Sequence, residues 1–170
     1  GLLTPIDLSV LYTRRPEVMR SALSLMPEYL RTATDGQAAN LMDYSVALGR
    51  RFRSLKLWFI LRAYGRAGLE ALLREQLRMT QELAQWVRAD ERFELGAPVE
   101  LSLVCFRLKA GDEASRALME AINASGHAFL SHTVINGRFL IRLAIGNYQT
   151  TVEDVRETWE RLQAEASKLA

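Results

Sequence analysis

Four cations, Arg50, Arg51, Arg53 and Lys56, crowd one end of an otherwise apolar segment, Leu48-Gly49-Arg50-Arg51-Phe52-Arg53-Ser54-Leu55-Lys56-Leu57-Trp58-Phe59. From residue 51 to residue 64 this segment is apolar on all sides of a helical wheel after its basic start, and such a helix has to be buried all round. The fold must therefore meet enough apolar surface to enclose it. Gly65 breaks the helix, since glycine is among the weakest residues in a helical interior. A second helix follows, with Leu69, Leu72, Leu73, Leu77, Leu83, Ala84 and Val87 at helical spacing and Arg74, Glu75, Arg78 and Glu82 on the opposite face.

The pattern changes near Asp90. Residues 93–95, 99–108, 129–135 and 139–145 read as strands around a helix over 112–125, and Asn136-Gly137 between the last two strands is a type I′ hairpin signal. Val152, Val155, Trp159, Leu162, Ala166 and Leu169 then form an apolar stripe behind a capping box expected from Thr150 to Glu153. An antiparallel sheet with helices on one face makes this region a small two-layer α+β sandwich.

The front of the chain is less regular. Residues 6–12 are a short β-prone run interrupted by Asp7 and Ser9, ending at Arg14-Arg15-Pro16, and they predict a strand that runs into a turn. Residues 21–25 could form a helical turn. Pro27 and the stretch Thr32-Ala33-Thr34-Asp35-Gly36-Gln37-Ala38-Ala39-Asn40 carry loop chemistry. Loops of this length are uncommon in compact domains and are often lids or binding segments.

With 170 residues, 49% of them apolar and 25% charged, the chain is large enough for one well-cored domain. The net charge is +2 and the basic residues are local, so nothing general points to nucleic acid or a membrane surface. A single cysteine, Cys105, excludes an internal disulfide and fits a reducing compartment. No signal-peptide pattern or long apolar run is present, and the reading is cytoplasmic. Internal repeats, low-complexity segments and a Gly-rich phosphate loop are also lacking.

Among residues able to carry chemistry, Tyr29 comes first: a phenol on a loop can close over a substrate and deliver a proton if its high intrinsic pKa is tuned. The alternative is an ordinary surface tyrosine. Gly49 lets backbone approach a ligand and leaves room for a bulky ring, or simply lets the chain enter the helix. Arg50, Arg51, Arg53 and Lys56 could hold a phosphate, but buried cations more often pair with carboxylates and carbonyls. His127 and His132 lack further ligands at metal spacing and read as structural or surface residues. Cys105, between Val104 and Phe106, reads as a small buried hydrophobe.

The run from Gly49 to Lys56 resembles the GRRFRSLK signature of the aromatic-amino-acid branch of the group II pyridoxal-phosphate decarboxylases. Upstream, Leu25-Met26-Pro27-Glu28-Tyr29-Leu30 resembles that family's mobile catalytic loop, in the same order. The resemblance implies an α/β fold-type I enzyme with pyridoxal 5′-phosphate as cofactor. It implies residues 1–47 as the end of the large cofactor-binding domain, with one strand and the catalytic loop, residues 48–90 as connecting helices, and 91–170 as the small carboxy-terminal α+β domain.

By the same resemblance Tyr29 protonates the carbanion left when carbon dioxide departs, whereas aldehyde-forming relatives usually carry phenylalanine there. Leu48 and Gly49 match residues near the cofactor and the substrate ring, commonly at a pocket shared with the opposite subunit of a homodimer. Gly49 in place of serine favours dihydroxyphenylalanine, hydroxytryptophan, tryptophan or phenylalanine over histidine. In the family the cofactor lysine precedes a tryptophan, and then residues matching Leu2-Leu3-Thr4-Pro5-Ile6-Asp7. Gly1 stands where the tryptophan would be. The expectation is a carboxy-terminal piece, inactive alone, because Lys56, Lys109 and Lys168 match no cofactor lysine. Alternative readings are an aldehyde-forming relative and a non-catalytic interaction module that keeps the pattern only as ancestry.

Overall fold

The computed structural model describes residues 3–24, 41–47, 49 and 51–169. The chain divides into two compact units, one over Thr4–Ala63 and one from Tyr64 to the end of the described chain.

In the first unit, helix α1 spans Pro16–Leu23 and starts on its proline, where a missing N–H costs nothing and the fixed φ already suits a helix. Glu17 in the first turn and Arg20 in the last complement the helix dipole. The expected turn at Arg14-Arg15-Pro16 is thus a helix start, and the helix lies earlier than residues 21–25. A 3-10 turn follows at Leu41–Tyr44.

The strand expected over residues 6–12 does not form. These residues carry no ladder, and Ile6 is 99% exposed. A strand exists only by pairing, and this unit has no other strand among the described residues to pair with.

Helix α2 runs Ser54–Ala89 and is interrupted at Gly65, whose φ of 63° and ψ of 177° are not helical. Glycine tolerates that backbone at no steric cost. The expectation of all-round burial before Gly65 is not met: Phe52, Trp58 and Phe59 are 74%, 53% and 58% exposed. An apolar side is buried only where something lies against it, and α1, with no buried residue of its own, offers little cover. After Gly65 the amphipathic reading holds, with Leu69, Met79, Leu83, Ala84 and Val87 buried.

In the second unit, β1 (Phe93–Leu95), β2 (Leu103–Leu108), β3 (Ser131–Ile135) and β4 (Arg138–Ala144) form an antiparallel sheet in the order β1-β2-β4-β3. Helix α3 (Asp112–Ala124) packs on β2 and β4, and α4 (Val152–Ala166) packs on α3. β2 begins at Leu103 rather than at residue 99, because the ladder ends with the pair Leu103 and Ala144. The β3–β4 hairpin turns on Asn136 and Gly137 with φ of 51° and 74°, the left-handed values a type I′ turn needs.

Alternation places Val104, Phe106 and Leu108 of β2 and Phe139, Ile141 and Leu143 of β4 in one core with Leu118, Ile122, Val155, Trp159 and Leu162 of the helices. Phe93, Phe106 and Trp159 meet at its centre, with ring centroids 4.9 to 6.2 Å apart in tilted and edge-on geometries. Such ring pairs add about 0.5–1.5 kcal/mol beyond their area. On the other side of β4, Gly96 sits so close to the buried Leu140 that a Cβ would fall 2.2 Å from Leu140 Cδ2. The box that caps α4 is Thr151 with Asp154, one residue later than expected: Asp154 N–H donates to Thr151 Oγ1 at 3.2 Å, and Thr151 N–H donates to Asp154 Oδ2 at 2.8 Å.

Candidate functional site

Of the site residues expected from sequence, Tyr29 and Leu48 lie outside the described residues. Gly49 is described: it is exposed, and a Cβ there would meet nothing within 4 Å among the described residues. Its backbone borders open space, as a residue bordering a ligand requires.

Two cations of the basic run that follows, Arg53 and Lys56, are held by the front of the chain. Arg53 Nη2 lies 2.7 Å from Asp7 Oδ2, while Lys56 Nζ donates to the Pro5 carbonyl at 2.8 Å and stands 4.0 Å from Asp7 Oδ1. The hydrogen bond from Arg53, helped by a backbone hydrogen bond and the nearby charge of Lys56, lowers the Asp7 carboxyl pKa to about 2. Arg53 and Lys56 thus satisfy a carboxylate and a carbonyl, the structural pairing such cations usually make.

A second polar cluster was not foreseen from sequence. Asp43, 2% exposed, accepts from Arg20 Nε at 3.0 Å and from Ser24 Oγ at 3.2 Å, with Arg20 Nη2 also 3.0 Å away. Ser24 is the C-cap of α1 and donates its backbone N–H to the Arg20 carbonyl at 2.8 Å. The legible signal was an acid set between Leu41-Met42 and Tyr44, a position where a carboxylate needs a partner once it is buried.

The remaining candidates have structural roles. Cys105 is buried within β2, and burial pushes its thiol pKa up, which keeps it protonated and unreactive. His132 stacks on Phe139 with centroids 4.8 Å apart, and His127 Nδ1 lies 3.7 Å from Glu157. Among the described residues no group of three His, Cys, Asp or Glu side chains is placed to hold a metal ion, and no helix is long and apolar enough to cross a membrane.

A family model for the pyridoxal-dependent decarboxylase conserved domain matches residues 2–109. The chain belongs to that family. It is 39% identical to tryptophan decarboxylase 1 of Oryza sativa subsp. japonica over 99% of this chain and 35% of the relative. It is equally 39% identical to phenylacetaldehyde synthase of Arabidopsis thaliana, over 98% of this chain and 36% of that one. The Oryza sativa TDC solved with PLP and tryptamine superposes with a TM-score of 0.80 at 38% identity, over 88% of this chain and 33% of that one. The chain therefore spans about a third of the length of the curated relatives it matches, and its fold is part of the fold-type I decarboxylase architecture.

The family's cofactor is pyridoxal phosphate. Lys56 is committed to the Pro5 carbonyl and Lys168 to Glu165 at 2.6 Å, while Lys109 is exposed just past β2. Of the residues expected at the site, Gly49 is the one described, and its backbone is open among the described residues.

Proposed function

We propose that the chain is the carboxy-terminal part of a homodimeric, cytoplasmic decarboxylase that converts an aromatic L-amino acid to its amine and carbon dioxide, with the cofactor lysine outside this chain. The family match over residues 2–109 carries this reading, and the tyrosine at position 29 selects the reaction. Residues 1–47 would close the cofactor-binding domain, 48–90 would connect, and 91–170 would form the small domain. The exposed Phe52, Trp58 and Phe59 support the reading, since apolar surface of this kind calls for further protein against it.

When bound, pyridoxal phosphate supplies the electron sink that lets the carboxylate leave as carbon dioxide. The Tyr29 hydroxyl then donates a proton to the substrate alpha carbon, and the segment carrying it excludes water. Leu48 and Gly49 border the ring of the substrate, and Gly49 leaves room for a large one. The isolated 170-residue chain is inactive in this scheme.

Likeness to phenylacetaldehyde synthase favours one other outcome: aldehyde formation, in which water and dioxygen are consumed and carbon dioxide, ammonia and hydrogen peroxide are released with the aldehyde. The test is the full-length enzyme against its Tyr29→Phe variant, with amine, carbon dioxide, aldehyde and peroxide all quantified. The wild type should yield amine and carbon dioxide in equal amounts, and the variant should turn to aldehyde and peroxide. Equal amine yield from both proteins removes Tyr29 from the mechanism.

A further inference from the structure

The last turn of α2 and the middle of α4 line an open cavity of about 530 Å³, inside the range that holds small molecules. Trp86 and Trp159 line it, and the Arg156 guanidinium lies over the Trp86 ring, 5.5 Å from its centre. Asp90 lines it too, but its carboxylate is already met by Arg92 and by Gln163 Nε2 at 2.9 Å. Glu91 and Glu160 complete the charged lining, and both are exposed. Glu160 stands four residues after Arg156, yet neither it, nor Arg156, nor Glu91 makes an ion pair or a hydrogen bond among the described residues.

Trp159 is 5% exposed, and its indole N–H donates to no group among the described residues. That nitrogen is not sealed in, because Gln76 Nε2 is the one sealed and unpartnered side-chain atom among those residues. It therefore opens on the cavity that its ring lines. A buried indole N–H normally finds an acceptor, and an occupant of the cavity is what can supply this one.

We propose that this cavity is a binding site for a free aromatic α-amino acid, taken as its zwitterion. The ligand's carboxylate accepts from Arg156 and from the Trp159 indole N–H, its ammonium donates to Glu91 and Glu160, and its ring packs on Trp86. Each group left without a partner in the lining then has one of the opposite kind, which is what a site that removes water from charged groups requires. An anion alone would meet the repulsion of Glu91 and Glu160. An amine alone would leave Arg156 and the indole N–H unmet. Arg156 is exposed, so it turns from the ring to a carboxylate on the fast timescale of surface side chains. The Trp86 face, and not the reaction proposed above, sets the ligand class.

The test is equilibrium dialysis of labelled L-tryptophan against the full-length holoenzyme after treatment with phenylhydrazine, which takes up the cofactor aldehyde so that bound tryptophan is not counted there. The treated wild type should still bind one equivalent per chain. Arg156→Gln and Glu160→Gln each remove one charge from an exposed position, so both should fold, and each should weaken that binding about tenfold or more. Tryptamine, which lacks the carboxylate, and indole-3-propionate, which lacks the ammonium, should each compete about tenfold or more weakly than tryptophan itself. In the wild type, bound tryptophan should also quench indole fluorescence, and Trp86→Phe should reduce that change. If the treated wild type binds no tryptophan at about 1 mM, a level that corresponds to about 4 kcal/mol of binding free energy, the site is overturned. Binding that survives unchanged in either charge variant, or that tryptamine matches, overturns it as well.

Discussion

Asp7 and Arg53 form an ion pair of 2.7 Å that fastens the start of the chain to the residue just before α2. Lys56, on the first turn of α2, reinforces the pair through the Pro5 carbonyl. Its Asp7 side chain is solvent-exposed, so its signature is a titration rather than a large stability term.

The Asp7 carboxyl should titrate with a midpoint of about 2 by carbon-13 NMR of the side-chain carboxyl. Arg53→Ala should move that midpoint up towards the ordinary aspartate value of about 3.9. Because the folded-state pKa is depressed, whatever stability the pair contributes is present above the unfolded value and is lost as pH falls through about 2. A midpoint unchanged by the substitution would show that Arg53 is not the cause.

Gly96→Ala should destabilise the protein by about 1–3 kcal/mol in urea unfolding, since the new methyl lands on the buried Leu140. Pairing it with Leu140→Ala should recover part of that loss, because the second substitution removes the atoms in conflict.

Thr151→Ala should cost about 1 kcal/mol by removing the cap of α4, whereas Thr150→Ala should cost much less. The comparison locates the box, because both threonines are followed three residues later by an acid and only one pair is joined.

Trp159→Ala should cost about 3–5 kcal/mol, the range for deleting a large ring from a core. Trp159→Phe should cost less, since it keeps an aromatic ring for contact with Phe93 and Phe106.

Gly49→Ser should leave unfolding within about 0.5 kcal/mol of wild type, because a Cβ there meets nothing within 4 Å among the described residues. In the full-length enzyme it should lower kcat/KM for tryptophan about ten- to a hundredfold relative to smaller aromatic acids. A loss equal for all substrates would show that Gly49 only shapes the helix entry.

The elements after residue 90 were legible from sequence because each has a one-sided apolar pattern that its own neighbours satisfy. The alternation Val104, Phe106, Leu108 and the stripe Val155, Trp159, Leu162 face the same core they predict. The front was less legible for the same reason in reverse. Residues 6–12 have the composition of a strand without a partner among the described residues, and the apolar residues around Trp58 have less cover here than their composition demands. Asp43 escaped notice because nothing local says which way a carboxylate on a short turn will point.

The amino-acid sequence by itself determined the family, through ordered motifs around Tyr29 and Gly49, and the order of helices and strands after residue 90, through periodicity. These are properties of neighbouring residues along the chain. Only the tertiary structure decided which threonine caps α4, where β2 begins, that Gly96 must lie against Leu140, and that Asp43 binds back across residues 25–40 to Arg20 and Ser24. Each of those depends on which distant group arrives within a few ångströms, and close packing settles that only once the whole unit has folded.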